Sequence, residues 1–140
     1  MSFRFVSNRN LLALSNSHEN VIAKIIEWIV LLSMRVKVYY TYIMTNPGNR
    51  VLYVGVTSDL IKRAFQHRKK LIKGFTSRYN CVKLVYYEIF DFADLAIKRE
   101  TYLKNLTRAR KISLIVSFNP SWQDLVSVEG AILLPRQLIN

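Results

Sequence analysis

The stretch Val36-Lys37-Val38-Tyr39-Tyr40-Thr41-Tyr42-Ile43-Met44, followed by Asn46-Pro47-Gly48-Asn49 and then Val51-Leu52-Tyr53-Val54-Gly55-Val56-Thr57, decides the fold. Two runs rich in β-branched and aromatic residues flank a cluster of turn formers. That pattern is strand, turn, strand, and the closeness of the runs makes a hairpin. Alternation places Tyr40, Tyr42 and Met44 on one face of the first strand, and Val51, Tyr53 and Gly55 on one face of the second. A hairpin symmetric about Pro47-Gly48 sets Tyr42 directly opposite Tyr53. Tyrosines in strands are ordinarily amphipathic packing residues. Gly55 beside them is a structural position, where a backbone or a ligand can come close.

Working outward, Thr57-Ser58-Asp59 supplies an N-cap for a helix from Asp59 to about Leu71, and Gly74 breaks the pattern. Val82 to Phe90 is a third strand. Asp91 and Asp94 resemble a capping arrangement for a helix to about Leu106, and a further helical stretch runs to Ser117 and stops at Asn119-Pro120. The order ββαβαα predicts an α+β domain, a small three-stranded antiparallel sheet flanked by helices. That domain is expected over residues 36–125, after an N-terminal extension (1–35) and before a C-terminal tail (126–140). The extension carries an amphipathic helix around Asn20 to Met34. The run MRVKVYYTYIM from Met34 reads like a natural protein start, so the preceding residues are expected to be an upstream extension, which the intact mass of the native protein checks.

Charge is concentrated in the same segment. Seventeen of the 21 Lys and Arg lie between Met34 and Leu125, against six of the nine Asp and Glu, in a chain of net charge +12. A positive field on a small domain points to a polyanion, nucleic acid before anionic membrane; a merely soluble cationic surface is the plainer alternative. The single cysteine, Cys81, excludes an internal disulfide and a cysteine-based zinc site, and a reducing cytoplasm is expected. Val21 to Leu32 is apolar but carries Lys24 and Glu27 and is too short to span a membrane.

Three groups of residues could carry chemistry. On a helical wheel Glu100 falls among Ala93, Ala96, Ile97 and Leu103; a carboxylate in such a stripe is either salt-bridged at a partly exposed position or committed to a cation or to catalysis. Leu60, Ile61, Ala64, Phe65, Leu71 and Ile72 form the buried face of the preceding helix, with Arg63 and His67 four apart at its edge. That pair is either a solvated face or a fixed cation and a titratable imidazole at a cleft. Tyr42 and Tyr53 form the third group.

In register, the segments resemble one family. Tyr40-Thr41-Tyr42, ten residues, and Tyr53-Val54-Gly55 resemble the paired motifs that name the GIY-YIG nucleases, closest to the small stand-alone bacterial URI group. Its pattern appears as YYTYIMTN, LYVGVTSDLIKR, GFTSRYN, KLVYYEIF, AIKRE and NPSWQDL, between Val36 and Leu125. Tyr40 replaces the first glycine, and the run from Lys104 to Arg110 lacks the tryptophans common in that group. Asn105 and Asn119 do not match the spacing of a late family asparagine, and neither is given a role.

The resemblance implies a metal-dependent endonuclease that hydrolyses DNA phosphodiester bonds by water attack. Tyr42, Tyr53, Arg63, His67 and Glu100 would be the catalytic residues, with Glu100 the sole protein ligand of one Mg²⁺ or Mn²⁺ ion. Arg63 would neutralise charge on the phosphoryl oxygens, Tyr42 or His67 would take the proton of the attacking water, and Tyr53 would orient water or phosphate. Lys62, Lys69, Lys70, Lys73, Arg78, Arg108, Arg110 and Lys111 would contact phosphates without reading bases. The competing expectations are a nucleic-acid-binding module on the same fold that has lost catalysis, and a basic RNA-associated protein.

Overall fold

The computed structural model describes residues 9–134. They fall in two compact units, divided at Val36 and Lys37. The first is a single helix, α1 (Arg9–Arg35), whose apolar side chains Val21, Ile22, Ile25, Trp28, Ile29 and Leu32 are exposed. Among the described residues, no helix is long and apolar enough to cross a membrane.

The second unit is an α+β domain. Strands β1 (Tyr39–Thr45), β2 (Leu52–Thr57) and β3 (Lys83–Phe90) form an antiparallel sheet in the order β2-β1-β3. β1 is central, and its residues from Thr41 to Thr45 are buried on both faces. Helices α2 (Leu60–Arg68) and α3 (Phe75–Arg78) lie between β2 and β3, and α4 (Ala93–Asn105) and α5 (Arg108–Phe118) follow β3. One core joins Tyr42, Met44, Leu84 and Tyr87 to Leu60 and Ala64 of α2 and to Leu125 and Val126. The other joins Ile43, Val54, Val85 and Tyr86 to Leu103 of α4 and Ile115 of α5. The single turn α3 is an addition to the expected order. Residues expected to open a C-terminal tail fold back, with Val126 bridging Ile132.

The hairpin register differs from the symmetric expectation. Tyr42 pairs with Gly55, and Tyr53 pairs with Met44. The cause is a longer loop: Asn46 accepts bonds from the backbone N–H of Arg50 and Val51 through Oδ1, and Asn49 takes a left-handed φ of 56°. The displacement is two residues, an even number, so every side chain keeps its face and Tyr42 and Tyr53 remain together.

Two helices also depart from expectation. α2 ends at Arg68 because Lys70 turns left-handed (φ 55°), with Lys70 N–H bonded to His67 O and Leu71 N–H to Gln66 O. The face packed on the sheet is therefore Leu60, Ala64 and His67, while Ile61, Phe65 and Leu71 are exposed. α4 begins at Phe92 without a side-chain cap; Asp94 lies in its first turn, where its charge favours the helix dipole. Ile97, expected in its apolar stripe, is half exposed.

A bulge in β3 fixes the far end of the domain. Ile43 pairs with Tyr86 and Met44 with Leu84, which leaves Val85 as the extra residue. Its carbonyl accepts from the Asn119 side chain at 3.1 Å, and the same amide bonds the carbonyl and the N–H of Gln123. Asp124 accepts the Leu84 N–H and pairs with Arg68 at 2.6 Å, tying α2 to the bulge. Asn119→Ala orphans buried carbonyls and should destabilise the domain by about 3 kcal/mol in denaturant unfolding; a loss below about 1 kcal/mol would mean that the bulge is held by packing alone.

Candidate active site

Tyr42 is fully buried, and its position depends on Gly55. A Cβ at Gly55 would lie 2.5 Å from the Tyr42 hydroxyl oxygen, so the ring of one strand lies against the bare backbone of the other. From there the hydroxyl reaches His67 Nε2 at 3.0 Å. Tyr53 completes a cluster, with ring centroids 6.3 Å from Tyr42 and 5.5 Å from His67. Asp59, as N-cap, accepts the Lys62 N–H at 3.0 Å and starts α2 at a fixed point. His67 thus lands in the core, and Arg63, one turn earlier, lies half-buried at its edge.

Glu100 arrives from α4. Thr41 Oγ1, on the face of β1 opposite Tyr42, donates to the Ala96 carbonyl at 2.8 Å in the core. Glu100 lies one turn beyond that anchor. Its side chain is only 17% exposed, and its carboxylate lies 2.9 Å from Lys104 Nζ. An exposed-partner pair at this spacing contributes about 0.3–0.5 kcal/mol and is readily exchanged.

The electrostatics link these groups. Burial raises the Tyr42 phenol well above its usual range; the Tyr53 hydroxyl and the Glu100 carboxylate push it the same way, while Arg63 opposes them. Burial, then the charge on Arg63, pushes His67 down to about 4. At neutral pH the imidazole is therefore neutral and the phenol protonated. His67 Nδ1 is buried without a partner among the described residues.

All five expected catalytic residues thus belong to one neighbourhood, drawn from β1, β2, α2 and α4. The expected phosphate contacts divide. Lys62, Lys69, Lys70, Lys73 and Arg78 are exposed on and after α2, on the site's side of the sheet. Arg108, Arg110 and Lys111 lie on α5 across the sheet, where Arg108 bonds the Asn49 carbonyl and Lys111 the Lys104 carbonyl. Two positions escaped the sequence reading: Thr41, whose polar side chain at an inward strand position was the available signal, and Phe75, stacked on Tyr53 at 6.2 Å.

The GIY-YIG catalytic domain model matches residues 38–113. The chain belongs to the GIY-YIG family. This is a family of nuclease type, and its matched span contains all five clustered residues. A UPF0213 protein of Clostridium perfringens is 40% identical over 78 residues, covering 56% of this chain and 83% of the relative. One of Staphylococcus saprophyticus is 35% identical over 77 residues, covering 55% of this chain and 93% of the relative. A solution NMR structure of a UPF0213 protein from Bacillus halodurans is 23% identical, covers 62% of this chain and 92% of that one, and superposes with a TM-score of 0.41.

Two outcomes test the GIY-YIG site geometry. Gly55→Ala should cost about 1–3 kcal/mol, because the ring it displaces is buried; wild-type stability would mean that Tyr42 is free to move. For His67 the folded value, about 4, lies below the unfolded 6.5, so the unfolded chain binds more protons between them. Stability present above pH 6.5 is then lost as pH falls towards 4, by roughly 3 kcal/mol. His67→Gln should flatten that part of the stability–pH curve; an unchanged slope would show that His67 does not titrate as described.

Proposed function

We propose that the domain is a divalent-metal-dependent endonuclease that hydrolyses phosphodiester bonds in nucleic acid, DNA foremost, with water as the nucleophile. The observation that carries this reading is the buried Tyr42 hydroxyl held 3.0 Å from His67 Nε2, with Arg63 and Glu100 near enough for their charges to bear on it. A packing tyrosine needs neither.

The donor set fits one hard cation. Among the described residues no three His, Cys, Asp or Glu gather, so the chain would offer Glu100 alone, an oxygen donor held by a weak pair to Lys104. Mg²⁺ and Mn²⁺ accept few protein ligands when waters and phosphate oxygens complete the shell. When bound, the ion would polarise the scissile phosphate and steady the leaving oxygen.

The chain's own groups do the rest. Arg63, fixed on the first turns of α2, neutralises charge that grows on the phosphoryl oxygens. Tyr42 cannot serve as a standing phenolate, because burial keeps its proton on. It can pass its proton to Nε2 of neutral His67, 3.0 Å away, as it receives one from the attacking water. That transfer requires the tautomer with hydrogen on Nδ1. Tyr53, beside both rings, orients the water or a phosphate oxygen. The exposed cations of the α2 side hold the strand.

The test is cleavage of labelled single-stranded, duplex and branched DNA with Mg²⁺ or Mn²⁺. Glu100→Ala and chelation should each abolish cleavage while the circular dichroism spectrum is kept. Arg63→Ala should slow it on the order of 10³-fold, and Tyr42→Phe should also slow it. Full activity of Glu100→Ala, or no cleavage by the wild type on any substrate with either metal, would overturn the proposal.

A further inference from the structure

The loop between α2 and β3 leaves two aromatic side chains half exposed beside the site. In α3 only Thr76 is fully buried. Phe75 and Tyr79 remain 47% and 44% exposed, yet they are ordered against each other and against the site. Tyr53 stacks on Phe75 with an interplanar angle of 27°, Phe75 meets Tyr79 at 4.7 Å between centroids, and the Arg78 guanidinium sits 5.8 Å from the Tyr79 ring. The result is a run of rings leading from Tyr53 in the cluster to the surface. Left-handed residues shape the loop that carries it: Lys70 and Asn80 at φ 55° and 56°, and Gly74 at 126°.

The surrounding charge is of one sign. Between Leu60 and Tyr87 the sequence contains eight Lys and Arg and no Asp or Glu. Lys69, Lys70, Lys73 and Arg78 are exposed beside or within this loop. Cations alone suit any phosphate backbone. Half-exposed rings between them suit a narrower class, because a ring can stack only on a base whose face is free. In an uninterrupted duplex both faces of each base are already covered by neighbours.

We propose that Phe75 and Tyr79 form a stacking platform for an unpaired nucleobase of the strand that enters the Tyr42–Arg63–Glu100 site. This rests on the nuclease reading and narrows its substrate class to single strands, flaps and frayed ends. Arg78, Lys73, Lys70 and Lys69 hold the phosphates of that strand, and the rings hold a base. Because Phe75 also packs on Tyr53, a stacked base would brace Tyr53 within the cluster.

The experiment is equilibrium binding in chelator, where nothing is cut. Labelled single-stranded DNA, single-stranded RNA, blunt duplex and duplex with a single-stranded flap are titrated with the full chain, each also with 2-aminopurine as reporter of stacking. The wild type should bind unpaired strands and flaps about tenfold or more tighter than blunt duplex and quench 2-aminopurine. Tyr79→Leu should lose about tenfold on unpaired strands, lose little on duplex and abolish the quench, and Tyr79→Phe should restore both. Phe75→Leu should do the same provided its thermal unfolding matches the wild type; Tyr79, farther from Tyr53, carries the test if it does not. Duplex bound as tightly as single strands, or equal losses on both with Tyr79→Leu, would overturn the proposal. Stacking through Tyr79 by a chain that never cleaves would remove the nuclease reading and leave the platform. Cleavage lost in Glu100→Ala but unaffected by Tyr79→Leu, with unchanged binding, would do the reverse.

Discussion

The contact between the Tyr42 ring and the backbone of Gly55 is the constraint on which the rest of the site depends. It requires the one residue without a Cβ on β2 opposite Tyr42, the fully buried tyrosine of the central strand. It turns the hydroxyl towards α2, where the helix supplies His67 in place of an apolar core residue. A buried phenol and a buried imidazole each lose solvation, and each partly replaces it with the other. Neither is easily ionised, so the centre pairs a protonated phenol with a neutral imidazole, and the charges of Arg63 and Glu100 bear on that phenol in opposite senses.

The two sides reach the phenol by separate supports. Arg63 is set by Asp59, which starts α2, and by Arg68 and Asp124, which tie its end to the β3 bulge. Glu100 is set through the sheet, by Thr41 bonding α4 from the opposite face of the same strand. β1 therefore positions one half of the site with Tyr42 and the other half with Thr41. A strand buried on both faces is rigid enough for this, whereas a loop would not hold the geometry as closely.

The sequence made the architecture readable where local preference and tertiary packing agree. Alternating tyrosine, valine and isoleucine define the strands, Asp59 marks the start of α2, and an even displacement of the hairpin left the faces as expected. The site residues were legible from their spacing in register and from the resemblance, and only weakly from their individual environments. What escaped depends on the exact path of the backbone at turns and helix ends, and on partners far along the chain. Asn46 lengthens the hairpin turn, Lys70 ends α2 early without a glycine, and Phe92 starts α4 where aspartates stood nearby. Thr41 and Phe75 gain their meaning from partners 55 residues away on α4 and across the site on Tyr53. Such pairings have no local signature.

The central claim is that Glu100 provides the cation site at the Tyr42 cluster, and NMR with substoichiometric Mn²⁺ tests it most directly. Paramagnetic broadening should centre on resonances of Glu100, Tyr42, Tyr53 and Arg63 and should disappear in Glu100→Gln, while the remaining spectrum keeps its shifts. Broadening centred elsewhere, or unchanged by that substitution, would contradict the account.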